Sequence, residues 1–462
     1  MKKIVFLFST IVFGFSFLHA QQGSITEEML QSFEKDYNTA GKTYKALQNA
    51  VSNNSIKKLA LNRENLGKID TYFSHKIESS GITDQESSGR CWLFTGLNVL
   101  RIQSINKVKA KKLVFSHNYL FFYDQLEKAN LFLEGIIETR NLPLTDRKVE
   151  HLMKNAITDG GQWTGVVDLV RKYGLVPAEV FPESKISENT GSLTKLLKWK
   201  LREDALKLRN MKGASLESLR AEKEKMLTEI YRMLRISLGT PPKTFSFRYE
   251  DKDGNLTQLK SYTPQSFAAE FLDVDFEAYR MFMNDPTRPY YKVYEIEFDR
   301  HTYDGHNWKY LNLPVEDIKQ FAKNSILDNQ PMYFSCDVGK QLNKQNGTLD
   351  VNNYEYGLLF DVNFGMNKKE RIETFSSGSS HGMALTGVDL DKDGNIKKWL
   401  LENSWGESYG FKGYLIMTDA WFDEYMFRLV VNKKYVLEKF MKMFDQKATV
   451  LPMWDPMFRE DD

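Results

Sequence analysis

Two cysteines stand in the 462-residue chain, and their surroundings differ. Cys91 follows the turn-forming Ser87-Ser88-Gly89 and opens a helical pattern. There its thiol would meet the unpaired N–H groups of a helix start, which favour a thiolate. Gln85 lies just upstream across the tight loop. Its amide would donate to the same oxyanion that the Cys91 N–H meets. Cys336 ends Pro331-Met-Tyr-Phe-Ser-Cys336, an apolar, strand-like run where a cysteine behaves as a small hydrophobe. A thiolate nucleophile needs a base, and the base needs an orienting partner. His381 opens the strand-like run 381–389, and Asn403 closes another, 399–402. Paired antiparallel, the two runs would set the Asn403 amide against the His381 ring. The amide would fix the tautomer without adding charge, and Trp405 would shield the contact from water. His75, His117, His151, His301 and His306 lack such neighbours and read as surface or hydrogen-bonded histidines.

These groups need elements to position them. Leu30, Phe33 and Tyr37, then Tyr44 and Leu47, fall at helical spacing within 24–60. Apolar Leu93, Leu97, Val99 and Leu100 continue a helix behind Cys91, and another is expected over 116–132. Asp159-Gly160-Gly161-Gln162-Trp163 reads as a loop leading into a helix at 166–173. Two long charged helices are expected at 192–211 and 215–238, ended by Gly239 and Pro241. The runs 245–249 and 256–260 flank Asp251-Lys-Asp-Gly254 as a β-hairpin. From Tyr291 onward β-type runs dominate, and 381–389, 399–402 and 413–418 are expected in one antiparallel sheet. Helices first, sheet later and a helical insertion between predict an α+β fold.

Asp84-Gln85-Glu86-Ser87-Ser88-Gly89-Arg90-Cys91-Trp92-Leu93-Phe94 resembles the active-site segment of the bleomycin hydrolase and aminopeptidase C group of papain-like cysteine peptidases. Further stretches match in order: Asn118-Tyr-Leu-Phe-Phe-Tyr-Asp124, Leu126-Glu-Lys-Ala-Asn130, Asp159-Gly-Gly-Gln-Trp163, Asp337-Val-Gly-Lys340, Leu385-Thr-Gly-Val-Asp389, Glu402-Asn-Ser-Trp-Gly406 and Trp454-Asp-Pro-Met457. The resemblance implies a papain-like two-lobed core. Its helical lobe (21–192) carries Cys91 and its sheet lobe (291–450) carries His381 and Asn403. A helical and hook-like insertion, 193–290, serves oligomerisation, and 451–462 is a C-terminal arm. The resemblance also implies Cys91, His381, Asn403 and Gln85 as the catalytic set, supported by Trp92 and Trp405, with the backbone of Gly160 and Gly161 facing the substrate. The arm's terminal carboxylate, at Asp462, would meet the substrate's free amine and make the enzyme a cysteine aminopeptidase acting on peptides, assembled as a homohexamer. Here the arm ends in Phe458-Arg-Glu-Asp-Asp462, whose acidic side chains would also attract an α-ammonium group. An endopeptidase with an open cleft and a non-catalytic polyanion-binding oligomer are the rival readings.

Composition narrows the rest. With 42% hydrophobic and 27% charged residues the chain is neither disordered nor fibrous. Lys2 and Lys3, an apolar run over 4–18 and Ala20 predict a signal peptide at 1–20, hence export to the periplasm or beyond. The run is too short to span a bilayer comfortably. Removing it leaves 61 basic against 61 acidic residues, so no global field recruits nucleic acid. Residues 191–243 carry 13 basic against 6 acidic groups; solvated, self-bridging helices are preferred to nucleic-acid binding. Gly378-Ser-Ser-His-Gly382 matches a serine-hydrolase elbow, but a β-type run follows Ser380 where a helix is required. Asp389, Asp391, Asp393 and Gly394 suggest a calcium loop whose twelfth position is Leu400, not the needed Glu; a hairpin turn is expected instead. No cofactor or metal is expected.

Overall fold

The computed structural model describes residues 23–455; the expected leader at 1–20 and Asp462 lie outside the described residues. Of the described residues, 23–61 with Glu355–Asn363 form one compact unit, and the remainder forms a second. In the first, Thr26 caps the helix Glu27–Thr39 by accepting from the Met29 N–H. Gly41, at φ +53°, reverses the chain into Lys42–Asn53. The helical spacing of Leu30, Phe33 and Tyr37 is realised, yet these side chains are exposed. Tyr37 packs on Tyr44, and the Tyr44 hydroxyl donates to Asp361 at 2.6 Å.

In the second unit, the helix Cys91–Val108 is apolar on almost every side and runs through the core. His117–Thr139 lies beside it and starts where Ser116 accepts from the Tyr119 N–H at 3.0 Å. The charged helices form at Gly191–Asn210 and Leu216–Leu238. Part of their basic charge is bridged: Lys200 to Asp204 and Glu229, Lys225 to Glu222, and Arg220 and Lys223 to Glu134 of the neighbouring helix. The hairpin that follows pairs Phe245–Phe247 with Lys260–Tyr262.

The expected strands pair as read: His381–Leu390 with Ile396–Glu402, and the latter with Tyr414–Thr418, all antiparallel. A tight turn closed by the Asp391 side chain joins the first two. They sit within a larger mixed sheet among the described residues. Parallel pairs join Tyr279–Met283 to Lys309–Asn312, Lys292–Ile296 to Thr449–Leu451, and Thr348–Leu349 to Tyr414–Thr418. These partners are distant in sequence, so alternation alone does not announce them. Side chains alternate between the two faces: Tyr333 and Ala384 enter the helical core, while Phe334, Met383 and Leu385 enter a second core behind the sheet. A sheet covered on both faces explains why these strands read as continuous apolar runs. The architecture is α+β.

Candidate active site

Cys91 is the first residue of its helix and is half-buried. No side chain caps this helix start, so its N–H groups stay directed at the thiol's end of the helix. The chain arrives there through a bent loop: Glu86 takes a left-handed φ of +51°, and its N–H donates to Asp84 at 2.8 Å. Thr95 lies one turn on. A Cβ on Gly382 would sit 3.1 Å from its hydroxyl, so the absent side chain lets the strand approach the helix. That contact brings His381, the preceding residue and the start of its strand, to the helix end where Cys91 stands.

His381 is buried, and its Nε2 lies 2.8 Å from Oδ1 of Asn403. The same oxygen accepts the Ser404 N–H at 2.9 Å. An atom accepting from a backbone N–H is the carbonyl oxygen, so the ring nitrogen facing it carries the proton. Nδ1 is left as the acceptor. Trp405 stacks on the ring with centroids 4.5 Å apart. Burial pulls the His381 pKa down to about 4, against a smaller upward pull from Asn403. The imidazole is therefore neutral unless a thiolate stands beside it.

A stability prediction follows from this burial. As pH falls below 6.5, the unfolded chain takes up a proton that the folded ring refuses until about pH 4. Stability present above 6.5 is then lost over that window, by roughly 3 kcal/mol if the full shift is felt. The Cys91→Ala background removes any thiolate. Urea melts of Cys91→Ala are expected to lose stability across this window, and those of Cys91→Ala/His381→Gln to lose correspondingly less. Parallel pH profiles would rule out the buried neutral ring.

Gln85 is buried and anchored to the same strand end. Its Oε1 accepts from the Ser404 hydroxyl at 2.7 Å, its Nε2 donates to the Ser88 carbonyl at 2.7 Å, and its N–H donates to the Ser404 carbonyl. Asp84 bridges to Trp405, and Gly406 fits there because a Cβ would fall 2.5 Å from the Asp84 carboxylate. Gln85 and Asn403 are thus held by one residue, Ser404. Nothing in the sequence pattern singled out that serine.

The loop at Gly160 and Gly161 packs on Trp92, the residue after Cys91. A Cβ on Gly161 would lie 2.2 Å from Cε1 of His301 and 2.7 Å from Cδ2 of Trp92, so only glycine fits. Trp92 is buried, and its Nε1–H donates to the Asp159 carbonyl at 2.7 Å. The Asp159 side chain reaches the Gly89 N–H and the Thr194 hydroxyl, tying this loop to the segment before Cys91.

Of the five histidines set aside, His301 is buried against Asp124, and His306 pairs with Asp168 at 2.8 Å. His117 is buried and stacked on Phe94. Arg428 is a further group that sequence reasoning missed. Its guanidinium is buried 3.5 Å over the Trp308 ring, and burial pulls it down to about 10, while charges on neighbours including Cys91 support it. Cys336, opposite His381 in the ladder, is fully buried and its thiol is pushed well up. Neither cysteine is in a disulfide.

A model of the Peptidase C1-like family matches residues 24–458. The chain is 38% identical over 422 residues to aminopeptidase C of Lactobacillus delbrueckii subsp. lactis, covering 90% of this chain and 94% of that one. It is 39% identical over 424 residues to bleomycin hydrolase of Homo sapiens, covering 89% and 93%. The crystal structure of PepW from Lactobacillus rhamnosis HN001 matches with a TM-score of 0.91 at 38% identity, covering 94% of this chain and 99% of that one. With the family model spanning the helix that starts at Cys91, the strand that starts at His381 and Asn403 beside it, the chain belongs to the Peptidase C1-like family.

Proposed function

We propose that this protein is a cysteine aminopeptidase, cleaving N-terminal residues from peptides through Cys91, His381 and Asn403. The observation that carries the reading is the His381 ring held by Asn403 at 2.8 Å under Trp405, at the start of the Cys91 helix. Nδ1 of His381 takes the Cys91 proton, and the thiolate attacks the scissile carbonyl carbon. The C–S bond forms as the carbonyl electrons move onto oxygen. That oxyanion meets the Cys91 N–H and the second N–H of the Gln85 amide, whose first N–H is occupied by Ser88. His381 then gives its proton to the leaving amine, and the C–N bond breaks. It next takes a proton from water, which attacks the thioester, releasing the acid and restoring the thiol. Asn403 holds the ring in one tautomer throughout, adding no charge that would compete with the thiolate for the imidazolium.

Gly160 and Gly161 offer backbone to the peptide in this reading, and acidic groups of the arm, ending at Asp462, meet its α-ammonium. Export after removal of 1–20 and assembly as a homohexamer belong to the same proposal, supported by the leader pattern and by the resemblance. The deciding experiment compares amino-acid amide fluorogenic substrates with their N-acylated forms, using mature chain under mild reductant. Cleavage of the free-amine forms alone is expected. Equal cleavage of blocked substrates would replace the reading with an open-cleft endopeptidase. N-terminal sequencing and light scattering of the same preparation are expected to give a chain starting at Gln21 in particles of six.

A further inference from the structure

Beneath the Gly160–Gly161 loop lies a buried charged cluster that the chemistry above does not use. Asp124 is fully buried on the helix next to that of Cys91. It accepts from Nδ1 of His301 at 2.5 Å and pairs with Lys128, one turn on, at 2.9 Å. Burial lowers the His301 pKa, so the ring stays neutral and Lys128 carries the compensating charge. The Lys128 ammonium then reaches the loop, donating to the Gly160 carbonyl at 2.5 Å and the Thr158 carbonyl at 3.0 Å. Gln125 also donates to Thr158, at 3.0 Å, and Trp92 takes the carbonyl between them, that of Asp159. Three consecutive carbonyls are thereby drawn inward onto side chains.

A backbone whose carbonyls are claimed on one side turns its remaining polar groups to the other, where a peptide backbone must satisfy them. Glycine at 161 in the loop and at 165 in the helix Trp163–Tyr173 lets both rest directly on the His301 ring, since a Cβ at either position would overlap it. A buried lysine–carboxylate pair returns little stability of its own, because desolvation offsets the attraction. Its geometry, rather than net stability, is what the site gains. We propose that Lys128, oriented by Asp124 and His301, is a positioning residue that sets the substrate-facing edge of the Gly160–Gly161 loop. This rests on the reading of that loop as substrate-facing.

The test compares the full chain with Lys128→Met, Lys128→Arg and, to avoid an unpaired buried carboxylate, Asp124→Asn/Lys128→Met. Two alkylation rates at Cys91, read by mass spectrometry, need no turnover: iodoacetamide, which needs no loop contact, and leucine chloromethyl ketone, which must be bound. Both methionine variants are expected to lose about tenfold in the chloromethyl ketone rate while iodoacetamide stays within about twofold, and Lys128→Arg to recover most of the loss. In turnover, KM is expected to rise about tenfold with kcat little changed, the mark of lost binding shared equally by ground and transition states. Unchanged chloromethyl ketone rates in both methionine variants overturn the proposal. A parallel fall in the iodoacetamide rate and kcat also overturns it, placing the cluster's role in the Cys91 helix through Trp92. If the parent turns over no substrate, the functional reading fails, while the two alkylation rates still decide the role of Lys128.

Discussion

Replacing Cys91 by alanine is expected to reduce turnover by about 10⁵-fold or more, the scale of removing a covalent nucleophile. The second cysteine is not placed to take its role: Cys336 is fully buried behind the sheet, and burial holds its thiol well above the ordinary range, against ionisation. The fold should survive. Cys91 stands half-exposed at a helix start, whereas the side chains that anchor that helix, Trp92, Leu93 and Leu97, lie in the core. A thermal melt within a few degrees of the parent, with activity gone, is the expected pair of results. Cys336→Ala serves as the control, its cost confined to the small cavity left in the rear core. Substantial activity in Cys91→Ala would remove the thiolate mechanism altogether.

His381→Ala is expected to cost about 10⁴-fold in kcat, because one residue is asked to ionise the thiol, protonate the leaving amine and activate water. The thiol's own reactivity separates this role from packing. Without the imidazole the thiolate loses its partner, so the rate of Cys91 alkylation at pH 6 should fall strongly, and the pH midpoint of alkylation should move towards that of an ordinary thiol. The cost in stability should be modest at pH 8, since the buried ring is neutral there. Its removal, however, exposes the Trp405 face that it stacks on. If kcat falls but the alkylation profile does not move, His381 supports the site without being its base. Asn403 then loses its assigned purpose too, since its Oδ1 faces only that ring and the Ser404 N–H.

The helix behind Cys91 and the three strands around His381 and Asn403 could be read from pattern, because each is a local signal. Turn residues precede Cys91, apolar residues fall at helical spacing behind it, and one β-type run starts at His381 while another ends at Asn403. The pairing of those runs is also short-range, a hairpin closed by Asp391, so their register followed from proximity. The parallel additions to the sheet were not legible. Tyr279–Met283 and Lys309–Asn312, or Lys292–Ile296 and Thr449–Leu451, become neighbours only through long-range packing. Burial misled in the opposite sense at Leu30 and Phe33, where helical spacing is present and the side chains stay exposed in their unit.

At the candidate site the same division holds. Residue type and local context by themselves marked Cys91 as the cysteine at a helix start and His381 as the histidine with an amide within a hairpin's reach, while the assignment of Gly160 and Gly161 to the substrate rested on the family resemblance. Only the tertiary structure decided that Ser404 anchors Gln85, that Arg428 is buried within the field of Cys91, and that Lys128, Asp124 and His301 lie beneath Gly160 and Gly161. The reason is physical. A turn, a cap or an amphipathic period is set by residues a few positions apart, and the chain carries that information locally. A buried charge is stable only where partners from distant segments converge on it, and that convergence exists only once the helices have packed against the sheet.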